Sequence, residues 1–87
     1  MNITKQEGWV EVFDVDSDLQ NIGAIPVFFK NALIKPNILE TGFRLIENES
    51  AKIYLKSQQK CFIRVDDSIE NVRYGTSPSA VIEYDEI

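Results

Sequence analysis

Three short runs near the middle of the chain, Gly42-Phe43-Arg44-Leu45-Ile46, Ala51-Lys52-Ile53-Tyr54-Leu55-Lys56 and Cys61-Phe62-Ile63-Arg64-Val65, alternate apolar and polar residues with period two. Side chains on a strand point to opposite faces in turn, so each run reads as a strand with one buried face. The polar stretches between them, Glu47-Asn48-Glu49-Ser50 and Ser57-Gln58-Gln59-Lys60, have hairpin-loop length. The expectation is a three-stranded meander over about 42–65 in an all-β fold, a small antiparallel sandwich or barrel. Its parity places Phe43, Leu45, Ala51, Ile53, Leu55, Cys61, Ile63 and Val65 inward. Arg44, Lys52, Tyr54, Lys56, Phe62 and Arg64 then share one outward face that is both basic and aromatic.

Flanking segments extend the β reading. Trp9-Val10-Glu11-Val12-Phe13 is rich in β-branched and aromatic residues and forms a first strand; Leu19 to Ile22 gives a short second. Ile25-Pro26-Val27-Phe28-Phe29 is a third, with Pro26 at its start or on an edge because proline donates nothing to a central ladder. Residues 30–41, interrupted by Pro36, read as a long connection between two sheets. After Val65 come an Asp66-Asp67-Ser68 turn, a pairing segment from Ile69 to Tyr74 and the breaker Gly75-Thr76-Ser77-Pro78-Ser79. Ala80-Val81-Ile82-Glu83-Tyr84 is the last strand. The expected organisation is a sandwich domain over 1–79 and a C-terminal strand or arm over 80–87, which pairs either with its own sheet or with a neighbour's. Val81, Ile82 and Tyr84 are the contact residues in the second case.

With 87 residues the chain suits one domain, and a domain this small has a thin stability margin. Histidine is absent and Cys61 is the single cysteine, which excludes an intrachain disulfide, a Cys/His zinc site and any Ser-His-Asp or Cys-His nucleophile. On the inward face Cys61 is expected to behave as a small inert hydrophobe. No Gly-rich phosphate loop is present, and no cofactor or catalytic activity is expected. Asp14, Asp16 and Asp18 match the first acidic positions of a calcium-binding EF-hand loop, but Leu19 stands where that loop needs glycine and Ile25 where it needs glutamate. A solvated acidic turn is the simpler reading. The first eight residues lack the apolar core of a secretory signal, and no run approaches a membrane span. Synthesis in a cytoplasm is expected.

The net charge of −5 is unevenly spread. Residues 1–29 carry one basic and five acidic groups, residues 30–64 seven basic and three acidic, and residues 65–87 one basic and six acidic. An acid–base–acid order favours self-association or docking through complementary potentials. Basic residues interleaved with aromatics also occur on sheets that hold single-stranded nucleic acid, although acidic flanks repel phosphates. A plain solvated face is the third reading.

One arrangement in the sequence resembles a known group. Leu19-Gln20-Asn21-Ile22-Gly23, then Pro26-Val27-Phe28, Pro36, Thr41-Gly42-Phe43-Arg44-Leu45, Ile53-Tyr54-Leu55-Lys56-Ser57 and Phe62-Ile63-Arg64-Val65 resemble small β-sandwich virion proteins of tailed bacteriophages. In those, a Q-N-x-G strand start, a proline-led loop closing in G-x-x-L and an I-Y-x-K-S strand follow in that order. The resemblance covers residues 19–65 and leaves 66–87 without a counterpart. It implies a non-enzymatic structural protein, made in the host cytoplasm and built into the virion. There it would decorate or cement the capsid or act as a neck or tail adaptor, as a homo-oligomer or against partners such as the major capsid protein. The alternative is a small acidic regulatory protein that binds nucleic acid or a host protein.

Overall fold

The computed structural model describes residues 1–66 and 79–87. Eight strands follow in order: β1 (Asn2–Thr4), β2 (Val10–Phe13), β3 (Ser17–Asn21), β4 (Val27–Ala32), β5 (Phe43–Leu45), β6 (Ser50–Ile53), β7 (Lys60–Val65) and β8 (Ser79–Glu86), with one 3₁₀ turn at Lys5–Glu7. The pairing is nested: β1 with β8, β2 with β7, β3 with β6 and β4 with β5, all antiparallel. Ladders β3·β8 and β4·β7 join these pairs into two four-stranded sheets, β1-β8-β3-β6 and β2-β7-β4-β5. Rolling four antiparallel pairs into two facing sheets in this order is a jelly roll. The chain is therefore all-β and a small sandwich.

The expected meander is not there. The three alternating runs do form strands, β5, β6 and β7, but none pairs with another: β5 lies beside β4, β6 beside β3, and β7 between β2 and β4. Alternation fixes which face of a strand is buried and says nothing of its neighbour. A short loop that can close a hairpin can equally cross the ~10 Å between packed sheets, and both loops here do so. Each contains a four-residue turn, with Glu49 N–H donating to Ile46 O and Gln59 N–H to Lys56 O. Asn48 and Gln58, third in each turn, take the left-handed φ of 65° and 64°.

Residues 30–41 also differ from expectation. Lys30 to Ala32 complete β4, and the loop 33–42 joins two neighbours of one sheet. Gly42 closes it by passing against the backbone of Phe29, where a Cβ would collide. The short β1 carries a single apolar residue, too little for a periodic signal, yet its Ile3 is fully buried. At the other end β8 is an interior strand between β1 and β3, so residues 80–87 pair within their own sheet rather than extend as an arm. The expected strand over 69–74 and the breaker over 75–78 lie outside the described residues.

Between the sheets lie Ile3, Phe13, Leu19, Ile25, Val27, Leu45, Ile53, Cys61, Ile63, Val65, Ala80 and Ile82. Five of the eight residues expected inward are in this core, and Ala51 and Leu55 pack against it. Phe43 is the exception at 73% exposed: β5 is an edge strand, and the ring leans only on Phe29, with centroids 5.6 Å apart. Asn21 and Ser17 are polar residues fully buried on the inward face of β3, and Asn21 is the one that reaches the second sheet. Its Nδ2 donates to Ile25 O (2.9 Å) and Leu45 O (3.0 Å), and its Oδ1 accepts from Gly23 N–H (3.0 Å). One side chain on β3 thus ties the first sheet to the end of β5 in the second.

Candidate docking surface

The outward residues of the three runs do not form one face. Arg44, Phe62 and Arg64 project from the outer side of the second sheet, in register with Phe28 and Lys30 of β4. Lys52 belongs to the outer side of the first sheet, opposite Asp18, while Tyr54 and Lys56 sit beyond the end of β6. The expected basic, aromatic surface is divided between opposite sides of the sandwich. Of the C-terminal trio, Ile82 is in the core and Val81 is half-buried beside Gly23. Tyr84 packs its ring 5.2 Å from that of Phe13 on the facing sheet.

Nor are Phe62 and Arg64 exposed, at 3% and 4%. Loop 33–42 folds back over the outer side of the second sheet and covers them. It is held there by Trp9 Nε1, which donates to Asn37 O at 3.0 Å, and by a 2.7 Å ion pair between Lys30 and Glu40. Under the loop the Arg64 guanidinium lies between two rings, 5.2 Å from the centroid of Trp9 and 4.9 Å from that of Phe28. Stacking of a weakly hydrated guanidinium between aromatic faces is favourable where water is excluded. One of its terminal nitrogens also donates to Glu40 O at 3.4 Å. A sheet side that would ordinarily be solvated has become a second small core. Parity could not reveal it, because the covering comes from residues 33–42.

Three basic groups of the middle segment, Lys30, Arg44 and Lys60, are paired locally. Arg44 Nε donates to the buried Asp66 carboxylate at 2.9 Å, and Lys60 lies 3.2 Å from Glu11. The Lys30 ammonium and Asn37 N–H hold the Glu40 carboxyl below its ordinary pKa; Thr4 N–H and its hydroxyl do the same for Glu7. The net basic block of residues 30–64 is therefore not a continuous positive surface.

What the loop presents to solvent is apolar. Ile34 is 79% exposed and Leu39 87%, with Leu33 and Ile38 also well out in solvent. Beside them opens a cleft of about 630 Å³, lined by Trp9, Val10, Leu33, Ile34 and Phe62, with Glu7 and Glu11 on its rim as well as Lys35 and Lys60. Single exposed hydrophobes are ordinary, but four on one ten-residue loop beside a cleft of mixed apolar and charged lining make a candidate interaction surface. Leu33-Ile34 and Ile38-Leu39 are legible in the sequence as apolar residues in a segment with no strand to bury them.

Chemistry is sparse. Among the described residues no group of three or more Asp, Glu, Cys or His is placed to hold a metal ion. Asp16 accepts a hydrogen bond from Leu55 N–H at 2.7 Å, while Asp18 lies on the outer side of the first sheet with Glu83 and Asp85. Among the described residues no helix is long and apolar enough to cross a membrane. The Cys61 thiol is buried, and desolvation pushes its pKa up to about 12. It should resist an aromatic disulfide reagent at pH 8 for hours in native protein and react at once in urea; rapid native labelling would show that β7 opens readily. The sign of the shift also follows. A neutral thiol favoured by the fold stabilises it below the unfolded value near 9.0, and that contribution is lost as pH rises from there towards 12.

No protein-family model, curated protein or solved structure matches this chain.

Proposed function

We propose that the chain is a non-enzymatic structural protein of a tailed-phage virion, decorating or cementing the capsid or serving as a neck or tail adaptor. The observation that carries this reading is the apolar surface of loop 33–42, held out over an already sealed sheet by Trp9 and Glu40. A domain that covers its own sheet and then displays Ile34 and Leu39 is built to be covered in turn. The resemblance over residues 19–65 supplies the virion context, and jelly rolls serve in viral shells among their many roles. Edge strands β1, β5 and β6 are three or four residues long, which limits sheet-to-sheet growth and leaves side chains to make the contacts.

Purified particles of the encoding phage should contain the protein, and recombinant protein should cosediment with particles that lack it. Replacing Leu39 by aspartate should reduce that binding roughly 30-fold or more, as expected for an anchor at an interface centre, with the far-ultraviolet circular dichroism unchanged. Absence from particles, together with no cosedimentation, would overturn the reading.

A specific feature favours one other role. Asp18 and Asp85 stand directly opposite across the β3·β8 ladder with Glu83 nearby, an acidic sheet face suited to a basic host protein as a small regulator. Retention of a host protein that is lost on Asp85→Lys and kept on Leu39→Asp would transfer the function to that side.

A further inference from the structure

The occupant of the loop surface can be argued from its own shape and charge. The same stretch supplies a protrusion and a recess: Leu33 and Ile34 stand out from the loop and also form one wall of the 630 Å³ cleft, whose floor is Trp9 and Phe62. Surfaces that carry a knob beside its own hole are the kind a two-fold axis can pair with themselves, since each copy contributes both parts.

The rim meets the electrostatic condition for such pairing. A two-fold contact cannot be all of one sign, because each charge would meet its own kind. Here Glu7 and Glu11 lie on the rim from the segment around β2, and Lys35 and Lys60 come from the loop and β7. Glu11 and Lys60 are already paired at 3.2 Å. Glu7 and Lys35 make no ion pair among the described residues. Glu7 Oε1 accepts from Thr4 N–H and the Thr4 hydroxyl, but neither neutralises its charge, so one acid and one base on a shared rim can each meet a partner that offers the opposite order.

Size agrees as well. Leu33, Ile34, Ile38 and Leu39 together expose roughly 500 Å², at the upper end of the apolar patches of monomers and a little over half of the ~800 Å² that each partner buries in a stable interface. A polar rim including Glu7 and Lys35 accounts for the balance.

We propose that loop 33–42 and its cleft form a two-fold interface between copies of this chain, with Ile34 of each copy seated in the cleft of the other and Lys35 of each facing Glu7 of the other. This rests on reading the loop as a docking surface and names its partner. The contact is isologous and closes at the dimer, leaving the acidic side of the first sheet outermost on both copies.

Sedimentation equilibrium of the whole chain tests it. The wild type should be dimeric at about 50 µM. Ile34→Asp should weaken association roughly 100-fold, since a charge would then be buried against Trp9 and Phe62 at the interface. Lys35→Glu should weaken it roughly 10-fold by setting like charges together. Adding Glu7→Lys to Lys35→Glu in the same chain should restore it to within about 3-fold, a rescue that only a two-fold contact between those residues produces. All three residues are on the surface, and circular dichroism melting verifies that each variant is folded. A wild type that stays monomeric to about 500 µM, a dimer indifferent to Ile34→Asp, or charge reversal without rescue would each overturn the proposal. Particle binding separates the two readings: a monomer that binds particles through Leu39 refutes self-pairing alone, and a dimer that shows the rescue but binds no particles refutes the virion role alone.

Discussion

Replacing Asn21 with leucine should lower the unfolding free energy by about 3–5 kcal/mol. The side chain is fully buried and makes three hydrogen bonds to backbone groups, two as donor and one as acceptor. Leucine fills nearly the same volume but leaves Ile25 O and Leu45 O without that partner, each at about 1–3 kcal/mol when water cannot reach it, and takes from Gly23 N–H one of its two acceptors, the other being Val81 O. The leucine's own burial offsets part of the sum. Against the 5–15 kcal/mol of a typical domain, and the low end of that range for a chain this short, the variant is expected to be close to unfolding at 37 °C. Urea titration followed by the fluorescence of the single tryptophan, Trp9, measures it. A loss under about 1 kcal/mol would mean that the sheets are joined by apolar contact alone. Asn21→Asp is a sharper variant: it keeps the acceptor for Gly23 N–H but turns a charge towards two carbonyl oxygens, and should be worse than leucine at neutral pH.

Asn21 also shows what kind of information the sequence carried. The Asn21-Ile22-Gly23 step was visible as a motif, and its physical basis is the hydrogen bond from Gly23 N–H to the asparagine oxygen, the familiar way an Asx residue turns a chain at a strand end. That the same residue reaches across to Leu45 is a long-range fact with no local trace. Inward residues were legible for a similar reason. Leu45, Ile53, Cys61, Ile63 and Val65 obey period two, and any sandwich that buries one face of each strand must place them inside. Strand order was not legible, because β5, β6 and β7 could satisfy that pattern beside any antiparallel neighbour.

The turns share a local signal. In Thr4–Glu7, Asn37–Glu40, Ile46–Glu49 and Lys56–Gln59 the backbone N–H of the first residue donates to the side-chain oxygen of the fourth, a Glu or Gln each time. This is the returning half of a capping box, employed here to lock four turns between strands. A tetrapeptide ending in Glu or Gln, lying between strands, therefore marks where this chain changes direction. The docking surface was hidden for the opposite reason. Phe62 and Arg64 have outward parity, and their burial depends on a loop whose position is fixed by distant contacts, Trp9 with Asn37, Lys30 with Glu40 and Arg64 with Glu40 O.

The first of those contacts gives the second large effect. Trp9→Ala should cost about 3–5 kcal/mol, the usual range for emptying a buried tryptophan site. The indole is 2% exposed, one face of the Arg64 stack, and the only side-chain anchor for Asn37 O among the described residues. Truncation removes one of the two rings around Arg64 and one of the ties that hold the loop, so the damage should be both global and local. Thermal melting by circular dichroism reads the global part, since the variant has no tryptophan to observe. Hydrogen exchange reads the local part: amides over residues 37–41 should exchange faster than the global loss accounts for, while those of β3 and β8 follow it. Trp9→Phe separates the two contributions, because it keeps a ring for the guanidinium and drops only the Nε1 hydrogen bond, worth about 1 kcal/mol. Equal losses in the alanine and phenylalanine variants would assign the role of Trp9 to that single bond rather than to packing. If the loop surface is the contact between copies, dimerisation should fail in Trp9→Ala well below its melting temperature and persist in Trp9→Phe, since a cleft floor that has lost its ring no longer receives Ile34.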